Sequence, residues 1–348
     1  MSGSLLVARL PGEIRAARLD NDGRLQDYRI ERGAPELQAG ARLRGRVARI
    51  DRALGAAFVE IGAEAHGFLP LEKAPEDLTE GRALYLEVPR APSPGKGAKL
   101  TVRGIAQSDG PVPERLGGGG LEVWIAGQDA APEEIGPCFP EEIEAEIETL
   151  LESAVPLPGG GRLLIEPVSS LTAIDVDSGG DARGALEADL EAAEEIPRQL
   201  RLRNLSGLVV VDFLALERKD ARREVTGRLA AGLALDGEPV EASTMSASGL
   251  VEIARRRAGP ALHELAFGPS SRRRDPLSLA YEALRAFAAA PAAPGAELRL
   301  SHRLAASLRG PAGEALAALE AKRGHPLVLA EEDWRDDESY ELVLASRP

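Results

Sequence analysis

Two apolar runs, LTAIDVDSGG and GLVVVDFLAL, flank a segment whose apolar residues recur at helical spacing: Leu186, Leu190, Ala193, Ile196 and Leu200 in ALEADLEAAEEIPRQLRLR. Strand, crossover helix, strand is the pattern of a right-handed βαβ unit, which requires two strands of one sheet to run parallel. Pro197 removes one backbone donor inside the helix and predicts a bend there. Each strand carries an aspartate, Asp175 and Asp212. Read as carboxylates buried among Val, Ile and Leu, both demand a compensating cation, and basic residues are scarce beside them. Asp177, two residues after Asp175, falls on the same face of its strand. Three acidic groups from two strands make the oxygen-ligand set that a hard divalent cation such as Mg²⁺ prefers. The competing reading is a structural carboxylate satisfied by a cap or an arginine.

The 348 residues suffice for two or three domains. One cysteine, Cys138, allows neither an internal disulfide nor a four-thiolate zinc site, and with an opening unlike a signal segment it predicts a cytoplasmic protein. No stretch approaches the roughly 18 apolar residues of a membrane span, so no membrane partner is expected. The net charge of −14 argues against a general nucleic-acid coat, so any RNA contact has to be local.

Along the chain the patterning predicts a mixed α/β (α+β) multidomain protein. Residues 1–38 read as short antiparallel strands with a turn at Asn21-Asp22-Gly23. Residues 39–106 hold about five short strands separated by turn signals, as in a small closed barrel. Residues 107–152 are loop-rich, with one strand-like island, LEVWIAG, and a helix over 139–152. The βαβ unit lies in a domain over 153–265, with a hairpin before it, a helix over 185–203, and then a helix at 220–234, a strand at 239–245 and a helix at 248–257. A linker and helix over 266–296 lead to a small α/β piece, 297–348.

The strings GAAFVEIGAEAHGFLPL, LTAIDVDSGG, DLEAAEEIPRQLRLRNLSGLVVVDFL and SGLVEIARRR, in this order, closely resemble the bacterial ribonuclease E and ribonuclease G family. The resemblance implies an S1-type OB barrel that binds RNA at 39–106 and a DNase I-like catalytic domain at 153–265. It further implies a remnant of an RNase H-like part in 1–38 with 107–152. In that family two aspartates hold Mg²⁺ for endonucleolytic cleavage of single-stranded RNA, and the matching positions are Asp175 and Asp212. Asp177 and Asp189 stand where the family usually has asparagine; Asp177 adds a negative charge close to the metal and is a further candidate ligand. Mn²⁺ is an acceptable substitute ion. The implied products carry a 5′-phosphate and a 3′-hydroxyl, formed by metal-activated water, so no catalytic histidine is needed.

Phe58 and Phe68 match family positions that stack RNA bases, against the alternative that both are barrel core. Arg90 and Lys96 fall where the family has lysines near the substrate. Arg255 and Arg257, in ARRR, are candidates for phosphate contacts, against an ordinary solvated helix end. Two family parts are missing: the segment that senses a 5′-monophosphate, reduced here to 107–138, and the zinc-binding cysteines, replaced by FGPSSRRRDP. The expectation is therefore no structural zinc and no zinc-linked tetramer, with a homodimer still compatible. The leading reading is a short Mg²⁺-dependent endoribonuclease. The alternatives are a catalytically weak RNA-binding scaffold of the same family and, further off, a nuclease acting on DNA.

Overall fold

The computed structural model describes residues 3–32, 39–63, 65–90, 97–106, 110–168, 170–180, 183–268, 273–291 and 295–344. The chain forms two compact units, Met1–Glu36 with Ile125–Glu148 and Leu262–Pro348, and Leu37–Trp124 with Thr149–Ala261.

Strands β1 (Leu5–Leu10), β2 (Glu13–Leu19) and β3 (Leu25–Arg32) form an antiparallel meander in the first unit, as the alternation of the opening segment predicts. The second unit begins with β4 (Arg42–Asp51), β5 (Ala56–Glu60), β6 (Gly67–Pro70), β7 (Ala83–Arg90) and β8 (Lys99–Ile105). These pair in the order β5-β6-β8-β7-β4, and the β4–β5 pairing closes them into a five-stranded barrel, the architecture of an OB-type fold. Leu43, Val47, Val59, Leu69, Leu84, Leu86 and Leu100 fill it. Gly45 is required by that filling, because a Cβ there would stand 2.8 Å from Leu86 Cδ1 and 2.9 Å from the Glu60 carbonyl oxygen. A sixth strand, β9 (Glu114–Gly117), adds to the edge at β4.

The island LEVWIAG is not a strand. It forms α1 (Gly120–Ala126), in which Leu121 and Ile125, one helical turn apart, are buried while Val123 is exposed. In the first unit β10 (Pro132–Glu134) pairs parallel with β1, and α2 (Glu141–Thr149) buries Ile143 and Ile147.

A six-stranded sheet makes up the rest of the second unit. Its strands are β11 (Ala154–Pro156), β12 (Arg162–Pro167), β13 (Thr172–Asp177), β14 (Gly207–Asp212), β15 (Val240–Ala242) and β16 (Leu250–Arg255), in the order β11-β12-β13-β14-β16-β15. Only β13 and β14 run parallel, and α3 (Ala185–Leu202) crosses between them, as the βαβ pattern predicts. Helix α3 continues through Pro197, and the proline ring packs close to α4 (Lys219–Leu233): a Cβ on Gly232 would stand 2.7 Å from Pro197 Cγ. Both helices cover one face of the sheet, where Ile165, Ile174, Val176, Val209, Val211, Val251 and Ile253 meet Ala192, Ile196, Leu200, Val225 and Leu229.

The expected helix at 248–257 is strand β16. Its residues alternate exposed and buried, and it lies between β14 and β15 with antiparallel pairing on both sides. The helix-forming Ala and Arg residues give way to sheet pairing on two edges and to the burial of Val251 and Ile253.

In the first unit α5 (Leu262–Phe267) and α6 (Pro276–Ala289) are followed by β17 (Glu297–Leu300), α7 (His302–Arg309), α8 (Gly313–Arg323), β18 (Val328–Glu331) and β19 (Tyr340–Val343). The terminal α/β piece shares one core with α6 and Leu10 of β1. Beneath it Glu13 is almost fully buried, with Arg285 Nη1 at 2.6 Å, Arg32 Nε at 2.7 Å and Arg15 Nε at 3.7 Å from its carboxylate oxygens.

Candidate active site

Residue i on one strand and its partner on the next point to the same face of a sheet. In the row running across the sheet, Leu164, Asp175, Asp212 and Leu250 are successive register partners on β12, β13, β14 and β16. Asp175 and Asp212 are thus direct neighbours on the two parallel strands, at their carboxyl ends, where α/β units collect ligands.

Both aspartates are exposed. This corrects the expectation that they are buried among the apolar residues of their strands. Period-two alternation sends Ile174, Val176, Val209 and Val211 into the core beneath α3 and α4, and sends the aspartates to the uncovered face. What favours a cation here is instead the pairing of two like charges. Strands in a sheet lie roughly 4.8 Å apart, so two like charges in register repel by on the order of 1 kcal/mol even in water. No hydrogen bond or ion pair from the described residues reaches either carboxylate. Two acceptor-only groups, side by side, solvated and without a cation from the described residues, fit an oxygen-preferring divalent ion.

Asp177 shares this face but is drawn away from the pair. Its register partner is Arg162, whose Nε and Nη2 lie 3.0 and 2.8 Å from Oδ2, and Gly179 N–H donates to Oδ1 at 2.9 Å. The Gly179 amide first and then the Arg162 guanidinium hold this carboxyl below the usual aspartate range. Among the described residues no group of three or more His, Cys, Asp or Glu side chains is placed to hold a metal ion. Asp175 and Asp212 are brought together; Asp177 pairs with an arginine.

The chain leaving β14 is held from two sides. Phe213 N–H donates to Gly249 C=O at 3.2 Å, and Leu214 N–H donates to Asp189 Oδ1 at 3.0 Å. Asp189, in the first turns of α3, is fully buried, and its Oδ2 has no hydrogen-bond partner among the described residues. Burial pushes its carboxyl up to about 7, against the opposing effect of the Leu214 amide.

On the barrel, Phe58 and Phe68 are register partners on β5 and β6, with ring centroids 6.2 Å apart and planes at 81°. Neither belongs to the barrel core. Phe58 is half-buried and Phe68 is 36% exposed, so the pair presents an aromatic surface to solvent. The Arg49 guanidinium lies 4.7 Å from the Phe58 ring centroid. Arg49 follows a bulge in β4 between Val47 and Arg49, and such irregularities re-aim side chains. Sequence reading missed Arg49, because the register that seats it over Phe58 depends on that bulge. Arg90 ends β7 with its Cα opposite Lys99 of β8; its side chain and all of Lys96 lie outside the described residues.

Arg255 and Arg257 are not solvated phosphate contacts. As β16 is a strand, Arg255 shares the inward phase of Val251 and Ile253, and its side chain is fully buried. Its Nε and Nη2 donate to Asp236 at 2.7 and 3.1 Å, and its Nη1 donates to Leu205 C=O at 2.9 Å and Asn204 Oδ1 at 3.2 Å. Arg257 is 9% exposed. No helix among the described residues is long and apolar enough to cross a membrane.

The sheet and its acidic pair coincide with a known family. Residues 135–258 match the model of the Ribonuclease E/G family. Ribonuclease E of Haemophilus influenzae is 27% identical over 398 residues, covering 76% of this chain and 42% of that protein. Ribonuclease E of Nostoc sp. is 40% identical over 129 residues, covering 35% and 19%, and Ribonuclease G of Escherichia coli is 28% identical over 218 residues, covering 58% and 45%. The chain thus spans less than half the length of these relatives. An aligned span of 398 positions exceeds the 348 residues present, so part of the Haemophilus protein has no counterpart here. Asp175 and Asp212 accordingly lie within the span, residues 135–258, that is similar to the Ribonuclease E/G family model.

Proposed function

We propose that the chain is a divalent-metal-dependent endoribonuclease that cleaves single-stranded RNA and leaves a 5′-phosphate and a 3′-hydroxyl. The observation that carries this reading is the in-register placement of Asp175 beside Asp212, within a domain whose relatives are named Ribonuclease E and Ribonuclease G. Asp175 and Asp212 would hold the ion, Mg²⁺ or Mn²⁺. A divalent ion supplies a water of lowered pKa and offsets charge on the phosphoryl oxygens.

The chain's own residues do the rest. Phe68, with Phe58 behind it edge to face, offers a base-stacking surface that accepts any base. Arg49, exposed over the Phe58 ring with Nη2 3.8 Å from Asp51 Oδ2, places a guanidinium beside that surface, where an RNA backbone would run. Local charge of this kind is needed on a chain whose net charge is −14. Leu164 and Leu250 flank the acidic pair in its row, so the polar part of that row is the two carboxylates.

A second reading, an RNA-binding scaffold of weak turnover, is favoured by the part of the relatives that has no counterpart here. Incubation of the wild type and Asp212→Ala with labelled single-stranded RNA and DNA, in Mg²⁺ or EDTA, separates the readings. Cleavage of RNA only, by the wild type only, in Mg²⁺ only, supports the enzyme. RNA bound and left intact in Mg²⁺ supports the scaffold, and cleavage of both polymers supports a nuclease indifferent to the sugar.

A further inference from the structure

We propose that Asp189 is a positioning residue of the acidic pair: from α3 it holds the backbone where the chain leaves β14, and so sets the direction of the Asp212 carboxylate. The inference rests on the reading of Asp175 and Asp212 as the metal-holding pair.

Asp212 is the last residue of its strand, so its orientation depends on the path of the residues that follow. Two hydrogen bonds define that path. From β16, Gly249 C=O accepts from Phe213 N–H; from α3, Asp189 Oδ1 accepts from Leu214 N–H at 3.0 Å. The approach of β16 requires a glycine: Gly249 has φ +95°, and an added Cβ would stand 2.4 Å from the Phe213 carbonyl oxygen. Beyond Leu214 the chain forms no regular element until α4 begins at Lys219.

Asp189 is poorly explained as a stabilising residue. Its side chain is fully buried, makes this one bond, and leaves Oδ2 without a partner among the described residues. The unsatisfied Oδ2 costs free energy that only the single bond to Leu214 N–H offsets. What the aspartate supplies is one acceptor aimed at Leu214 N–H. A carboxyl offers an acceptor oxygen in either protonation state, and a neutral amide can supply the same acceptor.

The test compares Asp189→Asn, which keeps the acceptor, with Asp189→Leu, which removes it. Each is measured by Mn²⁺ titration calorimetry, by single-stranded RNA cleavage, by RNA affinity in EDTA and by thermal midpoint. The expected result is that Asn binds Mn²⁺ within about twofold of the wild type. Leu is expected to weaken Mn²⁺ binding about fivefold or more and to lower kcat, with RNA affinity in EDTA unchanged and the thermal midpoint lowered by no more than the loss of one hydrogen bond. Equal Mn²⁺ binding by Leu and wild type, an Asn variant as impaired as Leu, or no Mn²⁺ binding by the wild type would each overturn the inference. A wild type that binds Mn²⁺, loses it in Asp189→Leu but not in Asp189→Asn, and leaves RNA intact would uphold the positioning role and sink the nuclease reading. Should Asp189→Leu not fold, amide exchange in the wild type decides: Leu214 exchanging far more slowly than Ala215 upholds the contact, and equal rates overturn it.

Discussion

Arg255 and Asp236 form an ion pair whose two side chains are both fully buried, with Nε 2.7 Å from Oδ2. The pair ties the end of β16 to the segment after α4, and the same guanidinium reaches Leu205 C=O just before β14. Removing one partner of such a pair strands the other charge in the interior, at a cost of about 3–5 kcal/mol. Arg255→Ala should therefore lower the thermal midpoint severely. Where the variant is folded, its affinity for single-stranded RNA should match the wild type; an Arg255→Ala protein of normal stability with weakened RNA binding would restore the phosphate-contact reading.

The barrel surface makes a contrasting prediction. Phe68 is 36% exposed and lies outside the barrel core, so Phe68→Ala should leave the thermal midpoint nearly unchanged. Loss of a stacking platform should weaken single-stranded RNA binding by about 1–3 kcal/mol. Fluorescence anisotropy in EDTA reads this free of cleavage, and an unchanged affinity would remove the aromatic pair from the interface.

How much of this was legible in the sequence differs from element to element. The βαβ unit was readable because α3 repeats its apolar residues at helical spacing between two runs rich in Val and Ile. The facing of Asp175 and Asp212 was not. Leu208 and Val210 on the outer phase of β14 are as apolar as Val209 and Val211 on the inner phase, so the alternation that exposes Asp212 is hidden. Strand β16 was masked in the same way by Leu250 and Ala254 on its exposed phase. In α1 the residues Val123, Trp124 and Ile125 favour a strand locally, but burial of Leu121 and Ile125 on one helical face prevails. The Arg162–Asp177 pair depends on the β12–β13 register, which the length of the turn does not reveal.

Acid sensitivity should concentrate on Glu13. Burial alone raises its pKa, but Arg285, Arg32 and Arg15 together overcome that and hold it at about 2 in the folded state, against an ordinary value of 4.5. A depressed acid stabilises the fold fully above its unfolded pKa, and that contribution fades as pH falls from about 4.5 to about 2. It amounts to on the order of 3 kcal/mol. Chemical denaturation of the wild type and Glu13→Gln at pH 7 and pH 3 checks this: the stability gap between them should shrink on acidification, and a constant gap would contradict the assignment.

Part of the aligned span of Ribonuclease E has no counterpart in this chain, and residues 110–138 hold only the short elements β9, α1 and β10. Cleavage should accordingly proceed at equal rates on oligonucleotides beginning with a 5′-monophosphate, a 5′-triphosphate or a 5′-hydroxyl. Single-turnover rates on the three substrates measure this, and a strong preference for the monophosphate would show that the chain senses the 5′ end.

The central claim is that Asp175 and Asp212 share one divalent ion, and Mn²⁺ titration calorimetry of the wild type, Asp212→Asn and Asp177→Asn tests it most directly. One Mn²⁺ per chain is expected in the wild type, with affinity at least tenfold weaker in Asp212→Asn and within about twofold in Asp177→Asn, whose carboxylate is already held by Arg162. Mn²⁺ binding that survives Asp212→Asn unchanged would contradict the account.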